Sequence, residues 1–479
     1  MPSLSSLSAS LPSLRTLAAL SGNMLEWYDF ALFGSLSDVI SANFFPEQGG
    51  HSALVETFVI FGLAFMARPL GGLLIGKLGD KVGRKVALET SIFLMAVPTF
   101  VMGCLPGYAQ IGWWSVVLLT FTRLLQGMSV GGQLMTSAVF QIESEPDRSR
   151  WGEVGAWVMA TANLGSLLGG VVSSILRNTL TEEQLSSWGW RVPFLSGILV
   201  GGSGIYLRKF EEEAEEEDGG GEGEAARREG EKADAPSPAR VAFTKYRSEM
   251  LSIALVTGGW ASAFYVGFIW MPIYMAALIE PPVPSAFAVS STSMFFGVFV
   301  FFGAAGHLSD VYGRRPIMMA GSLGIALYSP IHLYLVSSTS SAVLSLFSNT
   351  LFGLILSCLG GPCNAFFVEL VPREVRLTTL ALGYNLAQPI AGGMSPAFAT
   401  LLFDEGGPVM PCLVVVVFGM LSFVGVWIAE PSKEDVEKAK CLRGLRWGMV
   451  FGEVGREGGG RGLIEAGAKN SSAIEDNEL

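Results

Sequence analysis

The sequence predicts an all-α membrane protein: twelve transmembrane helices forming two six-helix bundles related by pseudo-two-fold symmetry. Three observations carry that expectation. Half of the 479 residues are hydrophobic and only 15% are charged, against roughly 25% charged in a soluble domain. Apolar stretches long enough to cross a bilayer as helices, about 20 residues each, recur along nearly the whole chain. Two motifs in the first half return in the second at almost one spacing.

The elements follow in order. Residues 1–19 are a Ser-rich segment. Spans at 20–44, 55–77, 86–105, 112–139, 150–177 and 190–208 build a first bundle, 20–208. Residues 209–247 run Glu-rich, then Gly-rich, then Pro-containing, with no apolar period, which predicts a disordered acidic linker. Spans at 249–278, 286–306, 316–336, 342–369, 376–402 and 408–429 build a second bundle, 248–430. Residues 431–479 form a tail without a sustained heptad. No basic region precedes an apolar run, so no cleavable signal is expected.

Orientation follows from Lys and Arg. They gather in loops 2–3 (Lys77, Lys81, Arg84, Lys85), 4–5 (Arg148, Arg150), 8–9 (Arg314, Arg315) and 10–11 (Arg373, Arg376), in the linker and in the tail. Only Arg177 and Arg191 fall in loops of the other side. The positive-inside rule then places both termini and the linker in the cytoplasm, with the plasma membrane as the default location. The net charge of −11 does not imply a basic partner, because residues 208–249 alone carry thirteen acids against eight bases. Nucleic acid is excluded as a partner on the same ground.

The repeats are specific. Gly76-Lys-Leu78-Gly-Asp80-Lys-Val-Gly83-Arg84-Lys85 follows span two. Gly306-His-Leu308-Ser-Asp310-Val-Tyr-Gly313-Arg314-Arg315 follows span eight, 230 residues later. Glu143-x-x-Pro146-x-x-x-Arg150 closes span four, and Glu369-x-x-Pro372-x-x-x-Arg376 closes span ten, 226 residues later. Parallel repeats with the solute site between them are one way transporters are built.

The G-x-L-x-D-x-x-G-R-[RK] loop resembles the signature of the major facilitator superfamily. Further strings resemble its metabolite:proton symporter branch: Gly22-Asn23-Met-Leu-Glu26-Trp27-Tyr28-Asp29-Phe30, Ala67-Arg68-Pro69-Leu70-Gly71-Gly72, Arg123-Leu-Leu-Gln126-Gly127-Met-Ser129, Trp188-Gly189-Trp190-Arg191 and Leu382-Gly383-Tyr384-Asn385-Leu386-Ala387. The resemblance runs from about residue 21 to 430. It implies secondary active transport, with proton-coupled uptake of a small organic acid or carboxylated zwitterion. The solutes implied are di- and tricarboxylates, proline and betaine. It also implies that the repeated loops latch the cytoplasmic side. That makes Gly76, Asp80, Gly83, Arg84, Lys85, Gly306, Asp310, Gly313, Arg314 and Arg315 gating candidates, with Glu143 and Glu369 as partners for the basic residues.

Charges within spans are costly, and so are functional candidates. Glu26 and Asp29 share one helix face three residues apart. Arg68 and Arg123 sit mid-span, and an Arg fork suits a carboxylate. Either these arginines bind the solute while Glu26 or Asp29 carries the proton, or all four are fixed pairs holding the first bundle together. Tyr28 and Gln133, which stand in or beside these strings, join the solute-contact candidates. So do Tyr384, Asn385 and Gln388 on one face of span eleven. In the resembled branch the position of Gln133 is usually acidic. Gln cannot ionise, which opens the alternative of a proton-independent facilitator. A solute-sensing receptor signalling through linker and tail is a further alternative.

Five cysteines and three scattered histidines show no ligand spacing, so no metal or cofactor is expected. No nucleophile–base pair or phosphate-cradling loop appears, so the chain is not expected to be an enzyme. The expected partners are a small organic solute, protons and the lipid bilayer, with the monomer as the working unit.

Overall fold

A computed structural model describes residues 14–45, 50–82, 84–129, 133–195, 197 and 238–429. Gly83, most of the predicted linker and the predicted tail lie outside them. Among the described residues every regular element is helical. Each near-continuous helical stretch is counted once here. The first half holds α1 (Leu14–Ser35, continued by Ser37–Phe44), α2 (Gly50–Val82), α3 (Arg84–Cys104), α4 (Trp113–Ser129 and Gln133–Ser144), α5 (Trp151–Thr179) and α6 (Val192–Leu195). The second half holds α7 (Arg247–Leu278), α8 (Ala286–Tyr312), α9 (Arg314–Thr339), α10 (Ala342–Leu370), α11 (Arg376–Gly406) and α12 (Cys412–Ile428). Seven of these, α2, α5 and α7 to α11, are long and apolar enough by themselves to cross a membrane. Residues 238–245, which the sequence assigned to the linker, are helical (Pro238–Lys245). Their Pro-Ala-Arg-Val-Ala-Phe-Thr-Lys run has left the acidic tract and regained apolar residues, of which Ala242 is buried.

The helices turn large apolar side chains outward. Leu73, Trp114, Phe121, Phe140, Leu327, Phe347 and Trp427 are all exposed. In water this would expose apolar area without return, whereas lipid tails are as apolar as these side chains. Small residues bring the helices together. A Cβ on Gly165 of α5 would lie 2.0 Å from the Met24 carbonyl oxygen of α1. Between the halves, a Cβ on Gly306 of α8 would lie 2.4 Å from the Gly152 carbonyl oxygen of α5.

Contacts between the halves obey the repeat. α5 packs on α8, and α2 packs on α11. An axis that exchanges α2 with α8 and α5 with α11 swaps these two pairs. α1 also meets α7, where a Cβ on Gly34 would lie 2.2 Å from Ile269 Cγ2. The halves differ in regularity. Among the described residues, four segments adopt a π-helical turn, Tyr265–Trp270, Tyr274–Leu278, Phe295–Val300 and Gln388–Gly393, and all four lie in the second half. Such bulges shift the hydrogen-bond ladder by one residue and re-aim side chains, often at functional sites. Pro389 at the start of the last one removes an N–H donor from that ladder.

Candidate solute and proton site

The buried charges of the first half form two groups of different character. The first is a hydrogen-bonded network across α1, α3 and α4, centred on Asp29. Arg123 Nη1 meets Asp29 Oδ2 at 2.7 Å and donates to Gln126 Oε1 at 3.0 Å. Gln126 Nε2 donates to Asp29 Oδ1 at 3.1 Å and to Thr99 Oγ1 at 2.7 Å. Thr99 Oγ1 donates to Asp29 Oδ1 at 3.1 Å. The Arg123 guanidinium lies 3.7 Å over the Phe33 ring. Asp29 thus accepts three hydrogen bonds and offsets the Arg123 charge, while Arg123 Nε and Nη2 are buried with no hydrogen-bond partner.

The second group is looser. Arg68 Nη2 lies 3.5 Å from Glu26 Oε1. Both residues are buried, and Arg68 Nε has no hydrogen-bond partner. The guanidinium is wedged against Phe65 and Phe30, at 4.3 and 5.1 Å from their centroids. This group faces the second half. Phe65 is 5.4 Å from Tyr265 of α7, and Tyr265 and Tyr384 both lie within electrostatic reach of Arg68 and Glu26.

Aromatic rings complete the junction. Trp27 of α1 meets Trp260 and Phe264 edge-on at 5.7 Å each, and stacks on Tyr265 at 6.2 Å. The indole N–H groups of Trp27 and Trp260 are both buried without a partner. Tyr384 and Gln388 sit one turn apart on α11, and neither makes a well-aligned hydrogen bond. Asn385 turns its amide back to the Ala381 carbonyl at 2.9 Å. Tyr28 lies half-buried against α5, where a Cβ on Gly169 would come 2.9 Å from its carbonyl oxygen. The Gln133 side chain lies outside the described residues.

The expected latch residues fall at the loop-bearing ends of the helices. Asp310 of α8 accepts hydrogen bonds from the Gly152 and Glu153 amides, each at 2.9 Å, at the start of α5 in the other half. A carboxylate at a helix N-terminus meets both free amides and the positive end of the dipole. Arg314 pairs with Asp310 and reaches Glu369 Oε1 at 3.1 Å. Glu143 instead pairs across the halves, with Arg376 and with Arg373 at 3.2 Å. Asn364 of α10 donates to the Gly155 carbonyl of α5 at 3.0 Å. Asp147 caps the loop before α5 by accepting from the Ser149 amide and hydroxyl, which holds its carboxyl below the usual range. Gly313 takes φ +93° at the α8–α9 turn, where a side chain would be strained. Arg315 is tied to the carbonyls of Val426 and Trp427 at the end of α12. In the first repeat, Gly76 and Asp80 end α2 while Arg84 and Lys85 begin α3; their side chains, and Gly83 altogether, lie outside the described residues.

The opposite ends are bridged as well. His51 at the start of α2 pairs with Asp404 at the end of α11. The Arg177 guanidinium of α5 lies 3.9 Å over Phe287 of α8. Thr99, Gln126 and Trp27 were not singled out from sequence. Gln126 had a readable signal, since it stands one turn from Arg123 on the same face. Trp27 neighbours Glu26, but a lone aromatic in a span reads first as packing.

Two bundles exchanged by a pseudo-two-fold axis, with buried charges and unpartnered polar groups where they meet, define the architecture of a secondary membrane transporter. The comparisons agree. The first half matches the family "Sugar (and other) transporter" over residues 14–215, and the second matches "Major Facilitator Superfamily" over residues 282–451. The chain is 30% identical over 449 residues to a proline/betaine transporter of Salmonella typhimurium, covering 90% of this chain and 88% of that protein. It is 29% identical over 428 residues to a glycine betaine/proline/ectoine/pipecolic acid transporter of Dickeya dadantii, covering 88% of this chain and 84% of that protein. The xylose transporter of Escherichia coli, solved in a partially occluded inward-open conformation, shares the fold. Its TM-score is 0.67 at 18% identity, over 88% of this chain and 98% of that one. The chain belongs to the major facilitator superfamily and is an integral membrane transporter of small solutes, not an enzyme.

Proposed function

We propose that this transporter is a proton-coupled symporter that takes up a small carboxylated zwitterion of the proline or betaine type across the plasma membrane, with its basic loops in the cytoplasm. The observation that carries this reading is the junction of Glu26, Trp27 and Arg68 with Trp260, Tyr265 and Tyr384. A zwitterion has two ends to satisfy. Arg68, with its Nε unpartnered, suits the carboxylate. The ring faces of Trp27, Trp260, Phe264 and Tyr265 suit a quaternary or ring ammonium through cation–π attraction. The names of the relatives point to the same solutes.

The coupling arises from competition for Arg68. While Glu26 is ionised it holds the guanidinium. A proton on Glu26 releases Arg68 to the solute carboxylate, and loss of that proton on the cytoplasmic side lets Glu26 reclaim it and expel the solute. Glu26 suits this role better than Asp29. Protonating Glu26 gives up one 3.5 Å contact, whereas protonating Asp29 disrupts a network of three accepted hydrogen bonds. The Asp310, Glu143 and Asn364 contacts would hold the cytoplasmic side shut until the solute binds, then part. The alternative of a proton-independent facilitator is tested directly. Proteoliposomes with an inward proton gradient should accumulate proline or glycine betaine above the equilibrium level. Accumulation that survives collapse of the gradient, or counterflow with no accumulation at all, refutes the coupling.

A further inference from the structure

We infer that the outer mouth of the transporter holds a second solute station, built for a zwitterion, between Arg177 and the carboxylates of Asp38 and Glu182. The inference rests on the zwitterion reading above and adds a site to it. The ends of α1, α5, α7 and α8 opposite the basic loops enclose a cleft of about 430 Å³, to which both halves contribute. Ligand pockets start at roughly 300 Å³, so a small amino-acid-sized solute fits.

The lining is charged at both ends. Arg177 Nη2 lies 2.6 Å from Asp38 Oδ1 and 3.0 Å from the Ser35 carbonyl oxygen, while its Nε is buried with no partner. Phe287 of α8 lies under the guanidinium at 3.9 Å and keeps that face dry. The first turn of α8, Ala286 to Ala288, lines the same cleft, and its N-cap Ser285 offers no side-chain bond to those amides. Arg177 and the α8 N-terminus therefore present donors toward a carboxylate from opposite halves. Asp38 and Glu182 present two carboxylates toward a cation. Arg191, the other basic residue that the sequence puts in loops of this face, is spent on the Gly103 and Leu105 carbonyls. Arg177 is thus the cation of this cleft.

The Arg177–Asp38 pair would favour a zwitterion. A molecule carrying both charges can open the pair and satisfy each partner at once. A simple anion leaves Asp38 without its cation, and a simple cation leaves Arg177 without its anion. Each such orphan costs the desolvation of a charged group. Because the cleft belongs to both halves, an occupant also ties their outer ends together, which fits a station filled before the outer side closes.

Equilibrium binding of radiolabelled glycine betaine to the purified full chain tests this, together with uptake in proteoliposomes. The wild type should bind two molecules per chain. Arg177→Gln should bind one and raise the uptake KM about tenfold at similar Vmax, the loss of one charge-assisted bond. Arg68→Gln should also bind one, at the outer station, and lose transport. A single site in the wild type that vanishes in Arg68→Gln but persists in Arg177→Gln overturns the outer station and leaves the central site standing. Normal binding and uptake in Arg68→Gln overturn the central site instead, while loss of one molecule in Arg177→Gln still supports the outer one. If Arg177→Gln does not reach the membrane, Glu182→Gln decides, because that residue is exposed at the start of a short helix. A KM raised about threefold supports the station, on the scale of an exposed charge contact, and an unchanged KM overturns it.

Discussion

At the spacing of the repeated motifs, Arg68 corresponds to Val298 of the second half, and Arg123 corresponds to Asn349. Val298 is buried hydrocarbon in a π-helical turn of α8. Asn349 donates to Ser293 at 2.7 Å within its own bundle. The same architecture therefore carries paired charge in one half and neutral side chains in the other. The first half keeps its interface helices free of π-turns among the described residues, while α7, α8 and α11 of the second half all contain them. Burying charge demands fixed partners to compensate it. A neutral aromatic wall tolerates a shifted ladder, and the shift gives its helices places to bend. In the proposed mechanism this becomes a division of labour: the first half would read charge and handle the proton, and the second half would move around it.

The comparison breaks most sharply at the two arginines. Arg68→Ala should abolish uptake, by at least about a hundredfold in kcat/KM, because the solute carboxylate loses its guanidinium, while Glu26, held by a single 3.5 Å contact, can take up a proton in its place. The protein should still reach the membrane in normal amount. Arg123→Ala should act on the fold instead, since removing one partner of a buried ion pair costs about 3–5 kcal/mol. Its membrane level and melting temperature should fall. If both variants behaved alike, the separation into a solute arginine and a scaffold arginine would be wrong. The next effect in size is coupling. Glu26→Gln should lose gradient-driven accumulation while keeping counterflow within about twofold, since the amide keeps the shape but cannot cycle a proton. Intact accumulation in Glu26→Gln would move the proton to another group.

The latch offers a smaller effect. Asp310→Asn weakens its bonds to the α5 amides and its pairing with Arg314. Uptake should fall about tenfold, on the scale of one or two charge-assisted hydrogen bonds. Alkylation of Cys363, buried beside Asn364 on α10, should speed up as the loop side opens. Unchanged labelling would show that Asp310 holds topology and does not gate.

Much of this was legible in the chain because membranes make polarity expensive. The twelve apolar stretches and the position of the basic loops follow from that one constraint, and the repeat is read directly from matching motifs. So does the short roster of buried charges, since Glu26, Asp29, Arg68 and Arg123 stand out against an apolar background. Their division into two groups was not legible. Glu26 and Asp29 share a helix face, and only the packing of α3 and α4 shows that Thr99 and Gln126 close around Asp29 and leave Glu26 to Arg68. The cross-half pairing of Glu143 with Arg373 and Arg376 was hidden for the same reason. Sequence spacing places residues along one helix but does not choose its neighbours. The π-turns were hidden too, because hydrophobic periodicity averages over a one-residue slip.

The smallest effect tests the wall itself. Trp260 stacks on Phe264 at 5.2 Å and meets Trp27 at 5.7 Å across the halves. Its indole N–H has no partner. If the second half contributes mainly ring faces, Trp260→Phe keeps the wall but weakens cation–π attraction by about 0.5–1 kcal/mol. The KM for glycine betaine should rise about threefold, with Vmax unchanged and the proton dependence of uptake intact. Proline, whose ring ammonium also donates hydrogen bonds, should be affected less, because part of its affinity lies outside the rings. Trp260→Ala would instead leave a cavity between α1 and α7 and should lower Vmax as well. A Trp260→Phe variant that altered proton dependence would tie the second half to the proton after all, and the division of labour between the bundles would have to be given up.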